Sequence, residues 1–118
     1  MKKKTKKEAR MRRHKKIRMI VKGTPVRPRL AVFKSSQHIY AQVIDDEQGH
    51  TLFEVSDREI KGNKKQTKTE KAKEVGTLIA QRAEKHNITT LVFDRGGFSY
   101  AGRIKAVGDA ARAHGLQF

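Results

Sequence analysis

Fourteen of the chain's 28 lysines and arginines fall within residues 1–29, where Glu8 is the single acid. A stretch with a net charge of +13 and few apolar side chains cannot bury enough surface to offset its own repulsion and ordering entropy. A folded core therefore has to come from the residues after it. Those carry the other 14 bases against 11 acids, which leaves only +3 of the total of +16. The division reads as a basic arm at 1–25 and a single domain at 26–118. A near-neutral domain with such an arm has the charge footprint of a polyanion binder, because each phosphate neutralised releases counterions.

The length of 118 residues suits about one domain. With no cysteine, neither a disulfide framework nor a cysteine-based zinc or redox site is available. The five histidines are scattered without ligand spacing, so no metal and no cofactor is expected. No apolar run approaches the roughly 20 residues that cross a bilayer, and the charged start lacks the apolar segment of a secretory signal. The expectation is a soluble, cytoplasmic protein.

Within the arm, Met11, Ile17, Ile20 and Val21 recur near helical spacing among Arg10, Arg12, Arg13, Lys15, Lys16 and Arg18, until Gly23 and Pro25 interrupt. This predicts a partly helical arm. Basic amphipathic helices also lie on anionic lipid, but the apolar stripe here is thin, which favours nucleic acid over membrane.

Three strands follow, at Arg29–Lys34, His38–Asp45 and Thr51–Ser56, separated by polar turns. In the middle strand Ile39, Ala41 and Val43 share one face, which should be core, while His38, Tyr40 and Gln42 share the other. Tyr40 is either a half-buried strand residue or, with Lys34, Ser35 and Ser36 at the hairpin tip, part of a platform on which RNA bases stack.

Segment 58–66 reads as a loop. A helix after it has Thr67 or Thr69 as cap, Asn87 as a left-handed stop, and Ala72, Val75, Ile79, Ala80 and Ala83 as its apolar stripe. Gly76 inside that stripe suggests close packing on the sheet. Thr89–Asp94 is a β-branched strand, buried on both faces by its composition, and a final helix from Arg103 to His114, with Ile104, Val107, Ala110 and Ala111 inward, ends at Gly115. The order βββαβα implies an α/β (α+β) fold, a mixed sheet with two helices on one face, since a strand reached through a crossover helix lies parallel to its neighbour.

Between the last strand and helix lies "DRGGFSYAGR", Asp94 to Arg103. It matches neither of the glycine-rich signatures of nucleotide enzymes. Gly96, Gly97 and Gly102 would let a polymer's phosphates approach the backbone, with Arg95 and Arg103 clamping them. Phe98 and Tyr100 either stack on a base or plug the core, and Asp94 pairs with Arg95 or caps the turn. Asp94 at a strand end also admits a metal-dependent nuclease of ribonuclease H-like topology, but such catalysis needs several carboxylates at one site, whereas Asp45 and Asp46 sit at a turn and no acidic partner on the first helix is evident.

The stretches "RPRLAVFKSSQHIYAQVIDD" and "FDRGGFSYAGRIKA" and the ending "HGLQF" resemble ribosomal protein eighteen of the bacterial large subunit, the family that binds 5S ribosomal RNA. The resemblance implies a structural protein, with no small-molecule substrate, whose sheet face and Asp-Arg-Gly-Gly loop contact 5S RNA. It implies an arm that reaches the large ribosomal RNA, seating the 5S particle in the central protuberance among neighbouring large-subunit proteins. The hairpin motif maps to Arg27, Arg29, Lys34, Ser35, Ser36, His38, Tyr40 and Gln42, and the loop motif to Arg95, Gly96, Gly97, Tyr100, Gly102 and Arg103. Ser36-Gln37 departs from the family's usual Asn-basic pair, and Val107-Gly108 from its usual Leu-Ala, a matter of helix packing.

Overall fold

A computed structural model describes residues 6–20, 23–60 and 66–118, with the side chains of 14–20 outside the description. The chain forms helix α1 (Lys6–Ile20), strands β1 (Arg29–Lys34), β2 (Ile39–Asp45) and β3 (His50–Ser56), helix α2 (Lys68–Lys85), strand β4 (Val92–Asp94) and helix α3 (Gly102–Ala113). Short polar turns can join only antiparallel neighbours, so β1, β2 and β3 form a meander; the α2 crossover returns the chain parallel, and β4 pairs with β1. The sheet order is β3-β2-β1-β4.

Alternation does the sorting that the sequence suggests. Leu30, Val32, Ile39, Ala41, Val43 and Val55 point to one face and are buried with Ala72, Val75, Ile79, Ala80 and Ala83 of α2 and Ile104, Val107 and Ala111 of α3. Ala110 is only half-buried. Thr67 rather than Thr69 caps α2, accepting the Glu70 N–H at 3.1 Å, and Asn87 ends the helix at φ 58°. Gly115, at φ 107°, does the same for α3.

Three expectations are corrected. Only Val92–Asp94 of the last strand pairs with β1; Thr90 bridges in parallel to Gln117, and the Leu91 N–H donates to the Gln117 carbonyl at 3.0 Å. Because β4 is an edge strand, Val92 and Phe93 are half-buried rather than enclosed on both faces. Phe93 instead meets Tyr100 edge-on and stacks on Phe118, with centroids 5.5 and 5.3 Å away. Gly76 packs against α3 and not against the sheet: a Cβ there would collide with the Val107 carbonyl oxygen and lie 2.8 Å from the Ala110 Cβ.

Of the loop expected at 58–66, residues 61–65 lie outside the description. Before them a 3₁₀ turn at Asp57–Glu59 is closed by a reciprocal Ser56–Glu59 cap. Arg82 of α2 hydrogen bonds to Glu59 and, with the Ser56 N–H, holds that carboxyl below its ordinary pKa.

Replacing glycine by alanine inside a helix ordinarily stabilises by about 1 kcal/mol. At the α2–α3 contact the sign should reverse: Gly76→Ala is expected to cost about 1–3 kcal/mol through overpacking, read as a lower Tm in thermal melts.

Candidate RNA interface

The end of the molecule to which the sequence assigns RNA is organised by a buried ion cluster. Arg29 Nη1 donates to Asp94 Oδ2 at 2.7 Å, while Nε and Nη2 donate to Asp46 Oδ2 and Oδ1 at 2.9 and 3.0 Å. This corrects the assignment of Arg29 to phosphate contact. Its side chain is 9% exposed and directed at two carboxylates that need its charge. The bond to Asp46 outweighs desolvation and raises the guanidinium above its ordinary pKa. Asp94 does not pair with Arg95 as the sequence allows; its other oxygen accepts the Gly96 N–H at 2.8 Å and so caps the loop turn. Asp46 Oδ2 accepts the Gly23 N–H at 2.6 Å, and the Asp46 N–H donates back to the Gly23 carbonyl. One cluster thus joins β1, the end of β4, the β2–β3 turn, the root of the arm and the start of the loop.

The same geometry bears on nuclease chemistry. Asp46 and Asp94 converge, but on a guanidinium, and among the described residues no three His, Cys, Asp or Glu side chains gather to hold a metal.

Gly96 and Gly97 adopt φ 62° and 78°, a left-handed turn open to glycine, and a Cβ on Gly96 would lie 3.0 Å from the Val32 carbonyl oxygen. Both are buried, contrary to the expectation that they face an RNA strand. The arm lies there: Arg10 Nη1 donates to the Gly96 carbonyl and Arg13 Nε to that of Gly97, each at 3.2 Å. Arg10 also lies 4.5 Å from the Phe98 ring centroid, and Lys34 Nζ 5.6 Å from it. Phe98 is half-buried, part of the rim of the core and part of this cationic contact.

Tyr100 is half-buried and packs against the core. Its ring meets Phe93 and fills the space beside Gly108, where a Cβ would come within 2.6 Å of the hydroxyl; this accounts for Gly108 in the Val107-Gly108 departure. Its hydroxyl donates to Asp109 at 3.1 Å, and burial, with that neighbour, pushes the phenol above its ordinary pKa.

The other basic residues also have internal partners. Arg95 Nη1 donates to the Phe98 carbonyl, Arg103 Nη2 to that of Ser35 at 3.0 Å, and Arg27 Nε to that of Leu91 at 3.3 Å. Gly102, at φ 55°, has open space where its side chain would be. At the hairpin tip the Ser35 hydroxyl accepts the His38 N–H, Ser36 is exposed, and His38 Nδ1 lies 3.0 Å from Asp57 Oδ1. Arg12 is exposed on α1; the side chains of Lys15, Lys16 and Arg18 lie outside the described residues.

On the sheet face away from the helices, Tyr40 stacks on Phe33 with centroids 5.1 Å apart and planes 19° from parallel. Gln42 Nε2 reaches Glu54 beside them at 3.4 Å. Phe33, 42% exposed, is a candidate that the sequence reading does not name. The signal was present: with Leu30 and Val32 inward, the alternation of β1 turns Phe33 outward, opposite Tyr40 in the β1–β2 register.

The fold is thus a small α+β domain to which a basic helix is pinned, with a half-exposed aromatic pair on its sheet. The chain belongs to the ribosomal L18 family: the family model for ribosomal L18 of archaea, bacteria, mitochondria and chloroplasts matches residues 4–118. It is 54% identical to the large ribosomal subunit protein uL18 of Thermotoga petrophila, covering 100% of this chain and 99% of that one. The proteins of the same name from Solibacter usitatus and Herpetosiphon aurantiacus are 53% and 52% identical, covering 96% and 100% of this chain and 95% and 100% of theirs.

Arg29→Ala removes the 2.7 Å charge-assisted bond to the buried Asp94 and both bonds to Asp46, and should cost about 3–5 kcal/mol. Arg29→Lys should recover part of this, because one ammonium cannot serve both carboxylates with the same fork geometry. Chemical denaturation of the three proteins, compared by midpoint, checks the order.

Proposed function

We propose that the protein is a structural component of the large ribosomal subunit that binds 5S ribosomal RNA and helps attach it to the large ribosomal RNA in the central protuberance, beside neighbouring large-subunit proteins of the cytoplasmic ribosome. Family membership supports the ribosomal part. The likeness of the hairpin and loop motifs to the 5S-binding family supports the choice of RNA, and no enzymatic activity belongs to this role.

The observation that carries the reading is the Phe33–Tyr40 stack on the sheet face opposite α2 and α3. Two rings already ordered against each other lose little entropy when a base or ribose stacks on them. Residues 1–25 act as the arm and 26–118 as the selective domain. The arm supplies sequence-independent attraction to phosphates, because it holds most of the net charge. The domain supplies shape and base contacts.

Tyr40→Ala and Phe33→Ala should each weaken binding to labelled 5S RNA by about 1–3 kcal/mol, the usual worth of a base stack, at fixed salt and Mg²⁺. The RNA should shift intact in these gels. Wild-type affinity in both variants would remove the platform.

Deleting residues 1–22 should flatten the dependence of affinity on salt while a preference for 5S RNA over a random duplex survives. Titrations of both RNAs at several salt concentrations separate the two effects, and loss of all preference would contradict the division of labour.

A further inference from the structure

Where the arm meets the domain, an open cleft of about 410 Å³ is lined by Lys6, Arg10, Arg13, Lys34, Phe98 and Gly102, among others, and by no acidic residue among those described. Lys6, Arg10 and Arg13 fall at i, i+4 and i+7 of α1, so one helical face delivers all three. Four cations held around one space repel one another unless an anion joins them. The floor of the cleft adds to the imbalance, because it is the start of the 12-residue α3. Its N-cap residue, Ala101, gives no side-chain hydrogen bond, and its first turn holds no acid. Arg103 and Lys105 stand there instead, against the usual preference at the positive end of a helix dipole. The guanidiniums of Arg10 and Arg13 each use one nitrogen on a loop carbonyl, which fixes their planes and leaves their remaining N–H groups for another acceptor.

We propose that this cleft is a phosphate-binding site built jointly by the arm and the domain, and that its occupant is a backbone phosphate of the bound RNA. The inference rests on the RNA-binding reading above and relocates the phosphate contact. The sequence assigns it to the backbone of Gly96, Gly97 and Gly102 with Arg95 and Arg103 as clamps, whereas the docked arm bonds to the Gly96 and Gly97 carbonyls and offers its own side chains. The arm is then a structural half of the site, and the loop is the seat on which its arginines are aligned.

The test uses the full-length protein and inorganic phosphate as probe, at constant ionic strength. Amide resonances of Gly102 and Arg103 should shift saturably with phosphate in the wild type. Arg10→Gln and Arg13→Gln should each weaken that binding about tenfold or more, the usual effect of losing a charge-assisted contact. Both should weaken 5S RNA binding and lower its salt slope by about one. Ser99→Glu places a carboxylate at the exposed rim of the same cleft; it should abolish the phosphate response with the melting temperature maintained or raised. Shifts that do not saturate, or that are unchanged in folded Arg10→Gln and Arg13→Gln, overturn the site. So does wild-type 5S affinity in Ser99→Glu. A wild-type protein that titrates with phosphate but fails to bind 5S RNA would overturn the RNA occupant and the proposed function while leaving the anion site standing.

Discussion

Enclosing the Asp94 carboxylate completely, with a second carboxylate close by, is costly unless positive charge reaches them, and Arg29 is a charge that reaches both. The rigidity of its fork matters as much as its sign. Three of its nitrogens face fixed acceptors, so the relative positions of the β2–β3 turn and the end of β4 are set by one planar group. Each carboxylate then passes that order on to a backbone N–H, Gly96 in the loop and Gly23 at the root of the arm. The parts that carry little core of their own are thus held through polar bonds by the part that has one.

How far the sequence discloses this depends on the range of the interaction involved. Alternation of Ile39, Ala41 and Val43, the stripe from Ala72 to Ala83, and the stops at Asn87 and Gly115 are local patterns, and each has the role its spacing suggests. Arg29, Asp46 and Asp94 are 17 to 65 residues apart, and nothing in their spacing shows that the chain closes them into one cluster. A basic residue in a strand next to other basic residues reads as a surface cation until its partners are known. The partner of Gly76 and the choice between the two readings of Tyr100 stay open for a related reason. Glycine in an apolar stripe signals close approach but does not name the neighbour, which is α3, and an aromatic in a loop does not reveal that Gly108 makes room for it.

The docked arm changes what its charge density means. A basic tail moving freely would concentrate positive potential near the domain without direction. Held by Arg10 and Arg13 on the loop, it presents its charge at one end of the sheet, adjoining the hairpin tip that Arg103 ties to the start of α3. Basic residues drawn from residues 6 to 103 share one pole of the molecule as a result.

The two borders of the sheet have a further consequence. Beside β4, the Gln117 segment pairs with Thr89–Leu91, and Phe118 lies over Phe93. At the opposite border β3 is kinked by an irregularity in its register with β2, and the guanidinium of Arg82 takes up the Glu54 carbonyl. A strand from another molecule would find the approach to β4 taken by the Gln117 segment on one side and an irregular, partly engaged strand on the other. Copies awaiting incorporation into a large particle are thereby steered away from strand exchange and amyloid-like stacking, a protection that mutual charge repulsion alone would lose once polyanions screened it.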